Sequence, residues 1–550
     1  MLAILDNLIS WLYYALFFLV PLVLFPSTSE VFEFNKMILV YTLTALILTP
    51  WVVKMIIQKR FVFRRTLLDV PLFIFLLSQL ISTFFSIDVH TSLFGFYSRF
   101  NGGLLSSLSY ALLYWAFVSN MNKNKSIKSI YSLLASSFLV SLYGFLEHFG
   151  IDKNLWVQDV QNRVFSTLGQ PNWLAAWIIA LAPLLWGFGL LIKNDGWGLK
   201  KRDIVWMALA MLQFATLLFT KSRSGILGFI TAYVIFWVIL FFKRLIKSKT
   251  LKFPIILSLL FLVLTIMIGT PWISGLSSLF KQRAGSQETK AKQQGPLLET
   301  GGTESGVIRK IVWRGAIDIW KNNFLVGTGP ETFAYIYYQY RPKEHNMVSE
   351  WDFIYNKAHN EFLNMASNTG TFGLVSYLVL IMFSILQLYN FKFAANKKNS
   401  DLEIGNSFCQ FDVRIIKISL LTGYLGLLVT NFFGFSVVVT QLQFFLFPAV
   451  AVGFENKPEN KDETKKENQI NTTQKILTLI TLLSLLYVLF AIYNYWRADI
   501  LYTKGKLQSR TSDYINSRKN LQEAVKLNPN EALYWNELGE PWCDRSSLFD

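Results

Sequence analysis

Long apolar segments separated by short polar loops dominate this chain. Most of these segments have about 18 to 25 residues, the length that a helix needs to cross the hydrocarbon core of a bilayer. The pattern therefore predicts an all-α polytopic membrane protein with about 12 to 13 membrane-spanning helices. We place these spans near residues 7–25, 35–57, 67–86, 102–120, 130–148, 172–192, 203–220, 225–242, 253–270, 371–391, 415–433, 436–454 and 475–495.

One large polar insert, residues 271–370, interrupts the series of apolar segments. It ends in KAHNEFLNMASNTGTFG, so His359, Asn360 and Glu361 come just before another span. Ionisable residues held against a bilayer are costly and are usually functional. The insert therefore predicts a membrane enzyme whose chemistry takes place at the membrane surface.

The positive charge of the chain indicates its topology. The formal net charge is +17, and much of the excess lies in alternate short loops. Because cytoplasmic loops of membrane proteins are enriched in Lys and Arg, we expect these loops in the cytoplasm and the insert outside. Because topology explains the positive charge, the charge does not indicate nucleic-acid binding. The basic loops are 59–65, 123–128, 193–202, 243–252 and 392–398.

The distribution of these features divides the chain into four parts. Residues 1–454 form the transmembrane core, which includes the insert as an extracytoplasmic loop, and residues 474–496 form the last span. Between them, the charged segment 455–473 is typical of a disordered cytoplasmic linker. The first apolar run lacks a small-residue cleavage site, so we expect it to remain as an uncleaved span.

The last part, residues 497–550, has a different character. The segment SRKNLQEAVKLNPNEALYWNELG (517–539) resembles a joint of a tetratricopeptide repeat. About three such repeats are needed to bury a continuous core, so this tail is either incomplete or docks elsewhere. Helical repeats bind peptides, so the tail indicates a protein partner.

Two outward segments near span ends carry candidate binding residues. In RVFSTLGQPNWLAA, Gln170 and Asn172 lie at the mouth of a span, where a turn and helix cap would also explain them. In FTKSRSGILG, Lys221 and Arg223 lie in a very short outer turn, against the charge rule. The planar donor fork of arginine suits phosphate, although a snorkelling side chain is the structural alternative.

The insert carries the remaining candidates. In SGVIRKIVWRGAIDIW, Arg309 shares one helix face with Trp313 and Trp320, whereas Arg314 points elsewhere. The GTGP segment that follows is a glycine turn and not a phosphate loop, because no Lys-Ser/Thr helix start follows it. His359 is either functional or a packed loop residue. For His345 in RPKEHN, we expect a surface position.

The sequence predicts neither a metal site nor a cofactor. The motif HEXXH is absent, the chain has only four histidines, and its two cysteines are far apart. We expect Cys409 and Cys543 on opposite sides of the membrane, so no disulfide follows.

Four motifs in this order resemble the O-antigen ligase superfamily, which includes O-antigen ligases, O-antigen polymerases and protein O-oligosaccharyltransferases. They are GQPN (169–172), SRSG (222–225), RKIVWRGAIDIW followed by GTGPETF, and HNEFLNMASNTGTFG (359–373). The resemblance covers roughly residues 90–450. It implies a GT-C type helical fold in the cytoplasmic (inner) membrane of a bacterium, with the active site on the extracytoplasmic side.

The resemblance also implies a reaction and its residues. A glycan would pass from an undecaprenyl-diphosphate carrier to an acceptor lipid, glycan or protein, with inversion and without metal. His359 matches the catalytic loop histidine. Arg223 and Arg309 match diphosphate-binding arginines, with Arg314 as a substitute for Arg309. Weaker substrate-binding candidates are Gln170, Asn172, Lys221 and Asn360.

Other functions remain open at this stage. A polysaccharide polymerase would carry the same motifs as a ligase. A lipid-linked glycan transporter is the alternative from another class, but transporters usually show internal repeats and charged residues at the midplane. A scaffold anchored by its spans would not need so many of them.

Overall fold

The computed structural model describes residues 1–191, 201–245, 251–273, 275–276, 303–390, 401–404, 407–410, 412–455 and 470–546. The first helices are α1 (Leu2–Leu19), α2 (Glu33–Gln58), α3 (Asp69–Phe84), α4 (Val89–Phe94), α5 (Leu104–Asn120), α6 (Lys123–His148), α7 (Pro171–Leu190), α8 (Lys201–Phe219), α9 (Arg223–Phe242) and α10 (Lys252–Ile268). The later ones are α11 (Ser305–Asn322), α12 (Phe333–Tyr340), α13 (Glu361–Tyr389), α14 (Val413–Phe432), α15 (Val438–Gly453), α16 (Thr472–Arg510), α17 (Tyr514–Leu527) and α18 (Ala532–Ser546). Two short antiparallel strands, β1 (Asp401–Ile404) and β2 (Ser407–Gln410), form a hairpin in which Asp401 pairs with Gln410.

The helices confirm an all-α polytopic membrane protein. In the described part of the chain, 8 helices are long and apolar enough to cross a membrane, and four shorter apolar helices accompany them. Each predicted span coincides with one helix. The span predicted at 102–120 corresponds to α5, which belongs to neither group.

Helix α7 lies at the centre of the bundle. Every residue from Leu174 to Leu190 is buried, because α7 packs against α8, α9 and α14 instead of lipid. The approach to α14 is so close that a Cβ at Gly423 would lie 2.1 Å from the carbonyl oxygen of Ala180. Small residues allow such backbone contact between membrane helices. The core is therefore fixed by backbone packing at this point.

Charged residues at or near the predicted basic loops form ion pairs with one another. Lys54 pairs with Asp6, while Arg64 and Lys417 both approach Glu455, at 3.6 and 3.0 Å. The assignment of these loops to the cytoplasm stays a prediction. Several predicted elements lie outside the described residues, in whole or in part: the basic-loop positions 193–200, 246–250 and 392–398, the linker positions 456–469, and positions 277–302 of the insert.

The described part of the insert folds onto the bundle as α11, α12 and the first turns of α13. Its own small core contains Ile308, Val312, Ile319 and Phe333. Helix α13 begins at Glu361, ten residues before the predicted span, and bends at Gly370, where φ is 65°. There the backbone N–H of Thr371 donates to the carbonyl of Phe324 at 2.7 Å. The bend thus fastens the insert to a membrane helix.

The last predicted span and the start of the tail form one continuous helix. Helix α16 has 39 residues, and the predicted linker ends inside it, because Thr472 is already helical. Helices α17 and α18 follow as a packed pair. Their identity as a tetratricopeptide-like repeat stays a prediction, as do the membrane sides of Cys409 and Cys543.

Candidate functional site

His359 lies in a strained turn at the start of α13. Its φ is 52°, in the left-handed region that residues with a Cβ rarely adopt. The residue as a whole is partly exposed, but its ring lies edge-on between Tyr355 and Phe435, with centroids 5.4 Å from each. The next residue, Asn360, accepts a hydrogen bond from the backbone N–H of Leu363 at 3.0 Å and so caps the helix. The turn and the cap together aim the imidazole away from the helix axis.

The surroundings of His359 keep it neutral. Burial, followed by the positive charges of Arg309 and Arg99, lowers the pKa of His359 from 6.5 to about 3. A neutral imidazole has a free lone pair that can accept a proton. An anion bound among these charges would raise the pKa again, because it would favour the imidazolium form.

Arg309 and Arg223 come close together at this site from two separate elements. Arg309 lies on α11, and burial lowers its pKa, with Arg223 contributing in the same direction. Arg223 is the first residue of α9, where Ser222 caps the helix by accepting from the N–H of Gly225. The two guanidinium groups thus form one region of positive charge beside the neutral His359.

Arg223 has an acidic partner on the surface. Its Nη1 lies 2.6 Å from Oε1 of Glu304, the residue before α11, and both side chains are more than half exposed. An exposed pair of this kind contributes little to stability. A more strongly charged anion could therefore replace the carboxylate of Glu304.

Arg314 lies apart from Arg223, Arg309 and His359. Its Nη1 lies 2.8 Å from Oε1 of Glu344 on an exposed surface of α11. Arg309 instead lies on the side of the helix where Trp313 contacts Phe432 of α14. The structure therefore favours Arg309 over Arg314 as the arginine that faces the site.

The weaker candidates surround the turn between α8 and α9. The hydroxyl of Ser222 donates to Oδ1 of Asn172 at 2.7 Å and ties α7 to α9. Lys221 has a φ of 50° and donates to Oδ1 of Asn162. Gln170 precedes Pro171 at the start of α7 and makes no capping hydrogen bond with its side chain. Asn172 thus has a structural role at the rim.

The expectation of a surface position for His345 is wrong. The residue is fully buried, and its Nδ1 and the hydroxyl of Tyr337 are 2.8 Å apart. The ring also packs edge-on against Tyr355. The polar residues of RPKEHN suggested a solvent-exposed loop, but the neighbouring tyrosines enclose this histidine.

Sequence reasoning missed Arg99. Its guanidinium lies over the rings of Trp173 and Phe435, at 5.0 and 4.7 Å from their centroids. Phe435 is also the ring that contacts His359, so Arg99 and His359 share one aromatic neighbour. An arginine in the predicted outer loop YSRFNGG is the same kind of signal that pointed to Arg223, and it could have identified Arg99.

A buried ion pair lies behind the site. Lys357 pairs with Glu331 with both side chains almost fully buried, and Lys357 also lies 5.6 Å from the Phe435 ring. A polar cavity of about 20 Å³ borders this pair and Glu361. That volume is about enough for one water molecule and far too small for a sugar. We therefore assign the pair to the support of the His359 turn.

A metal site does not emerge from the described residues. Within those ranges, no three His, Cys, Asp or Glu side chains lie together as ligands could. The charges of the site come instead from arginine and lysine. What this arrangement can do is bind an anionic group beside a neutral imidazole.

Comparison with known proteins finds that a segment containing part of this site is similar to a known family. Residues 206–378 match the family model described as O-antigen ligase, Wzy_C, and no curated protein matches the chain. The match confirms the resemblance to the O-antigen ligase superfamily. It contains Arg223, Arg309, Arg314 and His359, whereas Arg99 lies before it and the tail after it.

Proposed function

We propose that this chain, which carries an O-antigen ligase domain, transfers a glycan from an undecaprenyl-diphosphate carrier to an acceptor hydroxyl at the outer face of the cytoplasmic membrane. The observation that carries the proposal is the convergence of Arg223, Arg309 and His359 within the matched segment. The family supports glycan transfer in general. The donor, the side of the membrane and the residue roles belong to the proposal.

The arginines would act on the leaving group. As the bond between the anomeric carbon and the phosphate oxygen breaks, negative charge grows on the diphosphate. Fixed guanidinium groups lower the energy of that transition state without reorganisation. Arg309 is held partly buried, where its charge is less screened than in water.

His359 would act on the acceptor. The acceptor oxygen forms a bond to the anomeric carbon, and its proton passes to the neutral imidazole of His359. The glycosidic bond to phosphate breaks in the same displacement, which inverts the anomeric centre and releases undecaprenyl diphosphate. A bound diphosphate would strengthen His359 as a base, because its negative charge stabilises the imidazolium.

The two arginines of α11 provide the test of this proposal. The assay uses the full-length protein in lipid nanodiscs, with lipid-linked glycan extracted from the cells that make the protein as the donor. The lipid, polysaccharide and protein fractions of the same cells are supplied separately as acceptors. We expect Arg309→Ala to lower transfer by about 10²- to 10³-fold, the usual cost of one transition-state donor. Arg314→Ala, on the same helix, is the matched control and should stay within about twofold of the wild type.

The outcome decides the proposal. Equal activity of Arg309→Ala and the wild type would refute the role of the guanidinium groups. If the wild-type protein transfers glycan to no fraction, the proposed reaction is wrong. The fraction that accepts the glycan would distinguish ligation to lipid from polymerisation and from protein glycosylation.

A further inference from the structure

The segment 94–103, which we call the arginine loop, has two sides with different neighbours. On one side, Arg99 contacts Trp173 and Phe435 at the candidate site. On the other side, Phe94, Tyr97 and Phe100 contact α16 and the tail. The loop therefore joins the site to a part of the chain that lies outside the segment matched by the family.

The contacts with α16 are close and specific. Phe100 stacks on Tyr495 with centroids 4.3 Å apart and planes inclined by 19°, and Phe94 stacks on the same ring at 5.8 Å. The hydroxyl of Tyr97 donates to Oδ1 of Asp499 in a short hydrogen bond. Asp499 is fully buried, and aromatic pairs of this kind stabilise beyond their buried area.

The tail completes the enclosure of Tyr97. Its ring lies edge-on to Tyr502 of α16 and to Tyr534 of α18, with centroids 5.9 and 5.8 Å away. Asp499 also accepts from the N–H and the hydroxyl of Ser29, at 2.8 and 2.7 Å. These bonds fix α16 against the same end of the bundle as His359.

Arg99 retains capacity for a ligand. Its Nη1 is buried and has no hydrogen-bond partner among the described residues. The carboxylates of Glu33, Glu331 and Glu30 are near enough to act on the charge of Arg99. None of them is hydrogen-bonded to its Nη1: Glu33 accepts from the N–H of Val438 and Glu331 pairs with Lys357, and the other oxygen of each has no partner among the described residues. A buried guanidinium donor without a partner is costly, and an anionic oxygen would satisfy it.

We propose that Arg99 is a third guanidinium group for the anionic part of the substrate, and that α16 and the tail position it through Tyr97 and Phe100. This inference rests on the proposed function for the identity of that anion, a diphosphate. Arg99 is a substrate-binding residue in this account, and Tyr97 and Asp499 are positioning residues.

Binding of undecaprenyl diphosphate to the full-length protein in nanodiscs tests the inference without any transfer step. Arg99→Met keeps an unbranched side chain over the two rings and removes the charge. We expect its Kd to rise about 10- to 100-fold, the worth of a hydrogen bond to a charged group. If Arg99→Met does not fold, Arg99→Lys replaces it, with a rise of about tenfold expected because the donor fork is lost.

Tyr97→Phe tests the positioning, because it removes one hydroxyl while Ser29 still satisfies Asp499. We expect the Kd to rise about 3- to 10-fold in the wild-type background and not at all in the Arg99→Met background, since the two residues act together. Tyr487→Phe, on an exposed face of α16, is the matched control and should change neither value.

Each result has one meaning. An unchanged Kd in Arg99→Met, with a binding wild type, would overturn this inference and leave the proposed function intact. An equal rise for Tyr97→Phe in both backgrounds would overturn the positioning by α16. A wild-type protein that neither binds the diphosphate nor transfers glycan would overturn both proposals.

Discussion

Three residues around the candidate site adopt backbone conformations that residues with side chains rarely adopt. His359, Lys221 and Glu331 have φ values of 52°, 50° and 62°. Such conformations cost about 1 to 3 kcal/mol each and persist where the surrounding structure imposes them. At His359, the cap of α13 and the two flanking rings impose it. The backbone at His359 is therefore held in place by its surroundings.

The protonation of His359 leads to a prediction about pH. Its pKa is lowered to about 3, so the free protein should keep a neutral imidazole throughout the physiological range. We therefore expect that protonation of His359 does not lower kcat/KM between pH 7.5 and 5.5. If the histidine were solvated, its protonation would lower kcat/KM about tenfold over this range. His359→Ala should lower the rate about 10²- to 10⁴-fold, the usual contribution of a positioned base.

Rate measurements across this pH range on the wild type, with His345→Gln as control, would check both statements. Gln at position 345 keeps a donor and an acceptor for Tyr337 and Glu350, so we expect it to remain active. An inflection near pH 6.5 that disappears in His359→Gln would contradict the neutral state. Loss of diphosphate binding with normal turnover in His359→Ala would make the residue a ligand and not a base.

The same shift affects stability. The unfolded chain binds a proton at this histidine below its ordinary pKa of 6.5, and the folded chain binds it only near 3. The contribution of His359 to the free energy of unfolding is therefore present above about pH 6.5 and is lost as the pH falls towards 3.

Glu304 leads to a second residue-scale prediction. Because its carboxylate pairs with Arg223 on an exposed surface, it competes with a substrate anion. We expect Glu304→Gln to lower the KM for the lipid-linked donor about 2- to 5-fold, in line with the small energy of exposed ion pairs. Glu344→Gln, which frees Arg314 in the same way, should leave the KM unchanged. A lower KM in both variants would mean that the net charge of the surface, and not the release of Arg223, changes donor binding.

At the scale of elements, the bend of α13 at Gly370 determines the position of His359 relative to α11. A Cβ at this glycine would lie 2.4 Å from the backbone of Leu325, and its φ of 65° disfavours other residues. We expect Gly370→Ala to lower the free energy of unfolding by about 2 to 4 kcal/mol and to reduce transfer. Gly306→Ala, at an open position of α11, should be neutral or slightly stabilising. Thermal unfolding of both variants would measure this, and equal midpoints would contradict it.

The elements also show what the sequence could predict. Hydropathy located a helix at each predicted span, and 8 of the described helices are long and apolar enough to cross a bilayer. It could not show that α13 begins at Glu361 or that α16 continues to Arg510, because these polar turns depend on tertiary contacts. The spacing of RKIVWRGAIDIW separated Arg309 from Arg314, yet only the fold shows which face is turned to His359. The charge pattern could have pointed to Arg99, but its contact with Phe435, more than 300 residues away in the sequence, could be seen only in the fold.

At the scale of the whole molecule, the contacts at the two ends of the bundle lead to a topology prediction. Cysteines introduced at Lys310 and Lys519 should react with an impermeant reagent in intact cells, and one at Arg60 only after permeabilisation. Serine would first replace Cys409 and Cys543. Since the tail and α11 lie at the end that carries His359, their labelling should agree. Labelling of Arg60 but not Lys310 in intact cells would reverse the orientation.

The docking of α16 on the arginine loop also has a consequence for biosynthesis. Tyr97 and Asp499 are separated by 402 positions, so Tyr97 is synthesised long before its partner exists. At ribosomal rates of about 5 to 20 residues per second, this delay is roughly 20 to 80 s. Near the end of that interval the nascent protein has the arginines of α9 and α11 and His359, but it does not yet have the contacts of Tyr97 with α16. The contacts of the arginine loop are thereby tied to the synthesis of α16, and a product terminated before α16 would lack them.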